Sequence, residues 1–417
     1  MKIPVKPTLL LFFSLFSGTA PAGIEWPHFR GPNGDGHATG KIATKWSETE
    51  NGKWKTALPG EGWSSPVVAN GRIWMTTATE EGKSLRALCV DFASGKLLHD
   101  LEVFRDEVVP AKHRRNSYAS PSPVLDGERV YVHFGASGTA CLSAKDGSKL
   151  WENRELKADF QNGAGGTPAL FKDRLLIPFD GMDVQYEVAL DTKSGKVAWR
   201  SERSAKQKLS SKPEDMRKAY GSPVILQIDG KPQSLTTAAE RLYALDPATG
   251  TELWFVDYPG FSNVPLPVSD GRAVYVCTGF MKPELWAIKL GGAKGDATAS
   301  HVLWKQKAGV PDQSSPVVVG NRLYMVTSGG IASCIDTKDG RIVWKERIGS
   351  DFAASPLYTN GHLYFFDATG KCRVIKPGDT FQPIADNELS DGCMASPAVV
   401  GDALIVRTKT HIYRIEE

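Results

Sequence analysis

The amino-acid sequence predicts an all-β fold, an eight-bladed β-propeller of four-stranded antiparallel blades over residues 23–417. Three observations carry that expectation. A hydroxyl residue followed by Pro recurs along the chain. A large apolar residue follows it at a fixed distance. A second half-repeat then reads Ala/Cys-x-Asp-x-x-x-Gly-x-x-x-Trp.

The marker pairs are Ser65-Pro66, Ser122-Pro123, Thr167-Pro168, Ser222-Pro223, Ser315-Pro316, Ser355-Pro356 and Ser396-Pro397, with Leu266-Pro267 keeping the Pro alone. Successive prolines lie 57, 45, 55, 44, 49, 40 and 41 residues apart. A period of about 40–50 residues holding several short strands is the signature of propeller blades. Eight residues past the Pro stands Trp74, Tyr131, Leu176, Tyr275, Tyr324, Tyr364 or Ile405, with a turn such as Asn70-Gly71 or Asn360-Gly361 between. An apolar run, a Gly turn and an alternating run make a β-hairpin, and Pro suits the first position of a strand. The fourth repeat breaks the count, and a longer turn, Gln227-Ile228-Asp229-Gly230-Lys231, is expected there.

The second half-repeat is another hairpin, turned by Asp and Gly. Its aromatic slot holds Trp54, Trp151, Trp199, Trp254, Trp304 and Trp344, each expected to reach the next blade and bury roughly 150–250 Å². His99 and Gln382 stand where two Trp are missing. The eighth repeat supplies about three strands, so Trp54 is expected to open the strand that completes it and closes the ring.

Six cysteines are present. Cys89, Cys141, Cys334 and Cys372 each precede a turn Gly by six residues, where Ala189 and Ala244 stand in other repeats. A slot that alternates Cys with Ala is that of a small buried hydrophobe, so free thiols are expected. The spacing leaves Cys277 and Cys393 open.

Lys2 and Lys6, the apolar run Leu9 to Phe16, and Ala20-Pro21-Ala22 read as a signal peptide over residues 1–22, which places the mature chain in the periplasm or outside the cell. No later segment reads as transmembrane. A net charge of +3 gives no footprint for nucleic acid.

At this level of detail the repeats resemble the PQQ-like β-propeller proteins, the family of the BamB-type outer-membrane assembly factor and the quinoprotein dehydrogenases, over about residues 24 to 415. Trp26-Pro27-His28-Phe29-Arg30-Gly31-Pro32, Asn116-Ser117-Tyr118-Ala119-Ser120-Pro121 and Asp183-Val184-Gln185-Tyr186 are similar to segments of an exported bacterial subgroup. The resemblance implies either a binding role or quinone chemistry with PQQ and calcium. No two cysteines are adjacent, unlike the alcohol-oxidising members, and no acidic cluster for calcium maps onto the chain. The expectation is therefore a non-catalytic monomer without a cofactor that binds an envelope protein or glycan. The alternative is a PQQ-dependent dehydrogenase of alcohols or sugars, and a polysaccharide lyase or hydrolase is a third possibility.

Candidate binding residues precede the Pro markers, where loops lead into the innermost strands: Trp63, His113, Arg115, Asn116, Tyr118, Tyr220, Asn263, Gln313, Phe352 and Met394. Two inserts, 104–120 and 203–220, are rich in Lys and Arg and are read as solvated loops ahead of a basic lip for an acidic ligand. Asp180, Asp183 and Gln185 around Gly181 are read as turn chemistry ahead of a cation site. No zinc spacing and no Gly-x-Ser-x-Gly elbow occurs, and Asn33-Gly34-Asp35-Gly36 reads as a loop before the ring.

Overall fold

A computed structural model describes residues 24–417. The expected signal peptide at residues 1–22 lies outside the described residues. No described helix is long and apolar enough to cross a membrane.

Eight antiparallel sheets form the ring, one per marker, and they are numbered here as blades 1 to 8. Blade 6 shows the pattern: Val317–Val319, Arg322–Val326, Ile331–Asp336 and Ile342–Arg347 run from the hub outward. Blade 8 is completed by Gly52–Ala57 pairing with His411–Ile415, so the first and last parts of the described chain share one sheet around Trp54 and Arg414.

Three blades carry a fifth strand. Ile24–Trp26 adds to the inner edge of blade 1 and His37–Ala38 to the inner edge of blade 7. Gly295–Asp296 adds to the outer edge of blade 4. The extra length in blade 4 is strand, not turn: Val224–Ile228 and Lys231–Ala238 meet at a two-residue turn, with Asp229 and Gly230 both at positive φ (52° and 72°).

The hydroxyl of each marker has a structural task. The backbone N–H of Ser65 donates to Ser122 Oγ at 2.8 Å, Ser122 to Thr167 Oγ1 at 3.0 Å, and Thr167 to Ser222 Oγ at 2.8 Å. After a gap, Leu266 donates to Ser315 at 2.9 Å, Ser315 to Ser355 at 3.0 Å, Ser355 to Ser396 at 2.9 Å, and Ser396 back to Ser65 at 3.0 Å. Seven of the eight junctions are thus hydrogen-bonded at the hub. The open one, from blade 4 to blade 5, is where Leu266 replaces the hydroxyl residue.

At the rim the Trp residues do the joining. The indole N–H of Trp54, Trp151, Trp199, Trp304 and Trp344 donates to a turn carbonyl of the next blade (Phe92, Thr192, Pro247, Thr337 and Gly378) at 2.8–3.2 Å. The rings of Trp54, Trp151, Trp199 and Trp304 lie on the turn glycines Gly95, Gly195, Gly250 and Gly340, where a Cβ would come within about 2.6 Å of a ring carbon. These glycines also have φ near +70°, so two independent constraints demand them. Trp254 departs from the pattern. It donates to Gln233 Oε1 of its own blade at 2.7 Å, because the next blade replaces the tight turn with the segment holding Gly295–Asp296.

Two register expectations need correcting. In blade 7 the residue opposite Tyr364 is Val374, not Cys372, and the residue that follows it in the outer strand is Ala385, not Gln382. The outer turn is one residue longer there, and Gly378, four residues past Val374, is not the counterpart of Gly340, which lies six past Cys334. At blade 1, His99 stacks on Trp74 at 5.9 Å, and Leu101 lies on Gly147 where a Trp would otherwise sit.

All six cysteines are free and buried, Cys277 and Cys393 included. Burial pushes the Cys89 and Cys141 thiols up to about 12, so they are inert fillers of the core.

Candidate functional site

The loops entering the inner strands surround one mouth of the channel. They enclose a cavity of about 510 Å³ to which all eight blades contribute. The marker hydroxyls of Ser65, Ser122, Thr167, Ser222, Ser315, Ser355 and Ser396 line its depth, and Phe29 lies at its base.

Phe29 belongs to the segment that runs into Asn33-Gly34-Asp35-Gly36, the stretch expected to be a loop before the ring. Residues 24–38 instead plug the opposite mouth. Pro27 O accepts the N–H of Leu125 at 2.8 Å in blade 2, His37 Nε2 meets Val318 O at 2.7 Å in blade 6, and Gly36 O accepts Tyr358 N–H at 2.8 Å in blade 7. Arg30 is buried within the plug at φ 66° and donates to Asp35 O at 2.9 Å. Desolvation lowers its pKa to about 10 despite the opposing pull of Asp35. The run of Gly and Pro in Trp26–Gly36 was the available signal, since such chemistry allows a chain to coil inside a narrow channel.

Seven of the ten expected rim residues reach the cavity: Trp63, His113, Arg115, Asn116, Tyr220, Gln313 and Met394. Trp63 is half-buried and its indole donates to Arg115 O at 3.1 Å. Tyr220 donates its hydroxyl to Phe160 O at 2.7 Å, and burial raises its pKa. Asn116 is a loop pin. Its amide nitrogen donates to Asn162 O and Ala164 O, and its oxygen accepts from Ser117 N and Ser120 Oγ.

Three expected rim residues turn away. Phe352 is buried in the core between blades 6 and 7. Asn263 is fully buried and donates to Tyr258 Oη at 3.1 Å and Cys277 O at 3.2 Å. Tyr118 packs under Gly82 and against the cluster between blades 1 and 2. Position before a Pro marker places a residue near the mouth but does not decide which way its side chain points.

The basic lip does not form. Lys208 and Lys212 pair with Glu240 at 3.3 and 2.9 Å, and Lys206 pairs with Glu202 at 3.2 Å. Arg217 donates to Lys212 O, and Lys218 is buried with its Nζ on Asp215 O. In the other insert, Lys112 pairs with Glu61 at 3.2 Å. Arg115 pairs with Asp351 of the loop ahead of blade 7, so this ion pair bridges loops across the mouth. Asp180 is likewise engaged, in a buried bidentate pair with Arg203 at 2.8 and 2.9 Å, and Asp183 accepts the main-chain N–H groups of Val184 in its own turn and of Asp159 in the loop ahead of blade 3. Turn and ion-pair chemistry account for both.

What the sequence reading missed is an apolar lip. Phe280 (52% exposed), Met281 (72%) and Val264 (36%) stand together at the cavity's edge beside Phe261, whose ring meets that of Phe280 edge-on at 6.4 Å. They sit in the loops around the open hub junction of blades 4 and 5. The remaining exposed large apolar side chains include Leu98, Leu150, Val197, Leu303 and Ile384 on outer strands. The signal was the run Gly279-Phe280-Met281-Lys282-Pro283, an apolar pair inside turn residues.

Comparison with known proteins agrees with this architecture. A family model described as outer membrane protein assembly factor BamB matches residues 39–164, 86–231 and 293–381. A quinoprotein ethanol dehydrogenase of Pseudomonas aeruginosa is 25% identical over 223 residues, 52% of this chain but only 34% of that protein, so the chain matches about a third of its length. Among solved structures, BamB from Moraxella catarrhalis superposes with a TM-score of 0.57 at 12% identity, covering 87% of this chain and 99% of that one. A europium-containing methanol dehydrogenase gives 0.55 at 10% identity, covering 94% and 98%. The computationally designed Ika8 protein gives 0.58 at 12% identity, covering 86% and 98%. At such identities these superpositions speak for the fold alone.

Proposed function

The chain belongs to the PQQ-like propeller family whose model is described as outer membrane protein assembly factor BamB, and on that premise we propose that it is a non-catalytic binding protein of the cell envelope whose partner docks at the open mouth of the ring. The observation that carries this reading is the exposed Phe280, Met281 and Val264 lip beside a cavity of about 510 Å³. Apolar side chains held out in water on a rigid scaffold favour association, because a partner that covers them removes that surface from solvent. The lip favours a protein partner over a glycan. The hydroxyl-lined depth of the cavity offers hydrogen-bond partners to either.

The donor set does not favour a calcium-held quinone. Among the described residues no three His, Cys, Asp or Glu side chains converge. The cations that face the cavity, Arg115 and Lys218, are occupied by Asp351 and Asp215. The thiols are buried inside blades.

A photo-crosslinker placed at Met281 in the native host is expected to capture a discrete envelope partner. Phe280→Ser with Met281→Ser is expected to lower its recovery at least about tenfold with the melting temperature unchanged, in line with the loss of two anchoring side chains. Undiminished recovery contradicts the reading. Alcohol-dependent dye reduction on adding PQQ and Ca²⁺ replaces it with the dehydrogenase.

A further inference from the structure

The plug meets the ring through main-chain pairing at its hub, and it leaves three consecutive blades unserved. The second residue after each marker Pro turns its main chain toward the channel. In blade 1 that residue, Val68, pairs with Trp26. In blades 2, 6 and 7 Leu125, Val318 and Tyr358 bond to Pro27, His37 and Gly36. In blade 8 Val399 lies beneath Gly40, which sits so close to Gly401 that no Cβ fits. The equivalents in blades 3, 4 and 5 are Leu170, Ile225 and Ser269. Among the described residues their main chains make no bond toward the channel.

Blade 4 exposes more edge than its neighbours. Its inner strand, Val224–Ile228, has five residues where the other inner strands have two or three. Gln227 lies opposite Pro232 in the hairpin. Pro has no N–H, so this is a non-hydrogen-bonded pair, and the N–H and C=O of both Gln227 and Ile225 point away from the neighbouring strand. A cavity of about 480 Å³ lies against this edge, bounded by the inner strands of blades 3 to 5 and by plug residues 28–35. Half-buried Phe29, Leu170, Leu226 and Leu290 give it apolar walls, and Asp35 is its one acidic side chain.

We propose that an extended peptide segment of a partner protein enters this cavity and pairs as an added strand with Val224–Ile228. The chain supplies its own precedent, because Ile24–Trp26 and His37–Ala38 already occupy the inner edges of blades 1 and 7 in this way, one antiparallel and one parallel. Main-chain hydrogen bonds provide the affinity of such an added strand, and the apolar walls select alternate side chains. The site lies across Phe29 from the apolar lip and does not rest on the reading of that mouth.

The test uses the full chain and seven-residue peptides selected from a random phage-displayed library, then synthesised with a fluorescent label for polarisation titration. Gln227→Pro removes one outward N–H at an exposed position that tolerates Pro. It is expected to weaken binding at least about tenfold, as is N-methylation of alternate peptide amides, while Phe280→Ser leaves binding unchanged. Amide exchange of the wild-type chain is expected to slow at Ile225 and Gln227 when peptide is added, a readout independent of how the variant folds. Failure to select any peptide overturns the proposal, as does binding indifferent to N-methylation with no change at those amides. Binding lost in Phe280→Ser instead moves the peptide to the other mouth and overturns this site alone.

Discussion

The hub and the rim of the ring solve the same problem with opposite chemistry. Blades converge at the channel and splay apart outside, so the gap to be bridged widens with radius. At the hub one hydroxyl spans it, accepting the backbone N–H of the preceding blade at 2.8–3.0 Å. At the rim it takes an indole, lying on a glycine with its N–H on a turn carbonyl. The junction of blades 4 and 5 departs from both patterns, with Leu266 at the hub and the Trp254 indole N–H donating within its own blade while the ring packs in the core shared by the two. That junction also carries the apolar lip and borders the second cavity, so hydrogen-bonded fastening is relaxed where the two proposed docking surfaces lie.

The largest expected effect comes from the rim. Trp151→Ala is expected to cost about 3–5 kcal/mol, the usual loss for truncating a buried Trp. Chemical denaturation reads it, and a loss below about 1 kcal/mol would reduce the rim Trp to surface decoration. At the hub, Ser355→Ala leaves the Ser315 N–H unpaired and is expected to cost about 1–3 kcal/mol. Equal costs at hub and rim would break the comparison. Where the hydroxyl is already absent the position should behave as core: Leu266 is 4% exposed and packs between blades 4 and 5, so Leu266→Ser is expected to destabilise even though it restores the repeat's hydroxyl.

The smallest effect is a dependence on pH at intermediate radius. His133 is buried against Thr139 and Phe179, and desolvation pushes its pKa down to about 3; burial lowers His28 of the plug as well. The unfolded chain takes up these protons near pH 6.5 and the folded chain does not, so stability falls as pH drops below about 6.5. The slope for one such group is at most about 1.4 kcal/mol per pH unit. Denaturation midpoints between pH 7 and 5 should show it, and His133→Gln should reduce the slope, leaving the share of His28.

The marker Pro, the Gly turns and the Trp slot made the blade count and the ring closure legible, because each recurs wherever the geometry recurs. Register in blade 7 was not, since Gly378 is not the counterpart of the other turn glycines, and counting from it put Cys372 and Gln382 ahead of the true slots at Val374 and Ala385. Half-repeat spacing placed Trp63, Arg115 and Tyr220 at the mouth. It did not reveal that Phe352 and Asn263 turn inward, a choice made by packing between blades. The plug was hidden for a related reason. It belongs to no repeat, and its bonds are to residues up to 322 positions away, as from Gly36 to Tyr358. The pairing of the basic inserts was not legible because their acidic partners, Glu240 and Asp351, are remote in sequence.

Amide hydrogen exchange around the hub tests the fastening scheme most directly. The amides of Ser65, Ser122, Thr167, Leu266, Ser315, Ser355 and Ser396 should exchange only with global unfolding, whereas that of Ser222, which faces Leu266 and not a hydroxyl, should exchange through local opening at least about tenfold faster. Equal protection at all eight positions would contradict the scheme, and so would fast exchange at the seven.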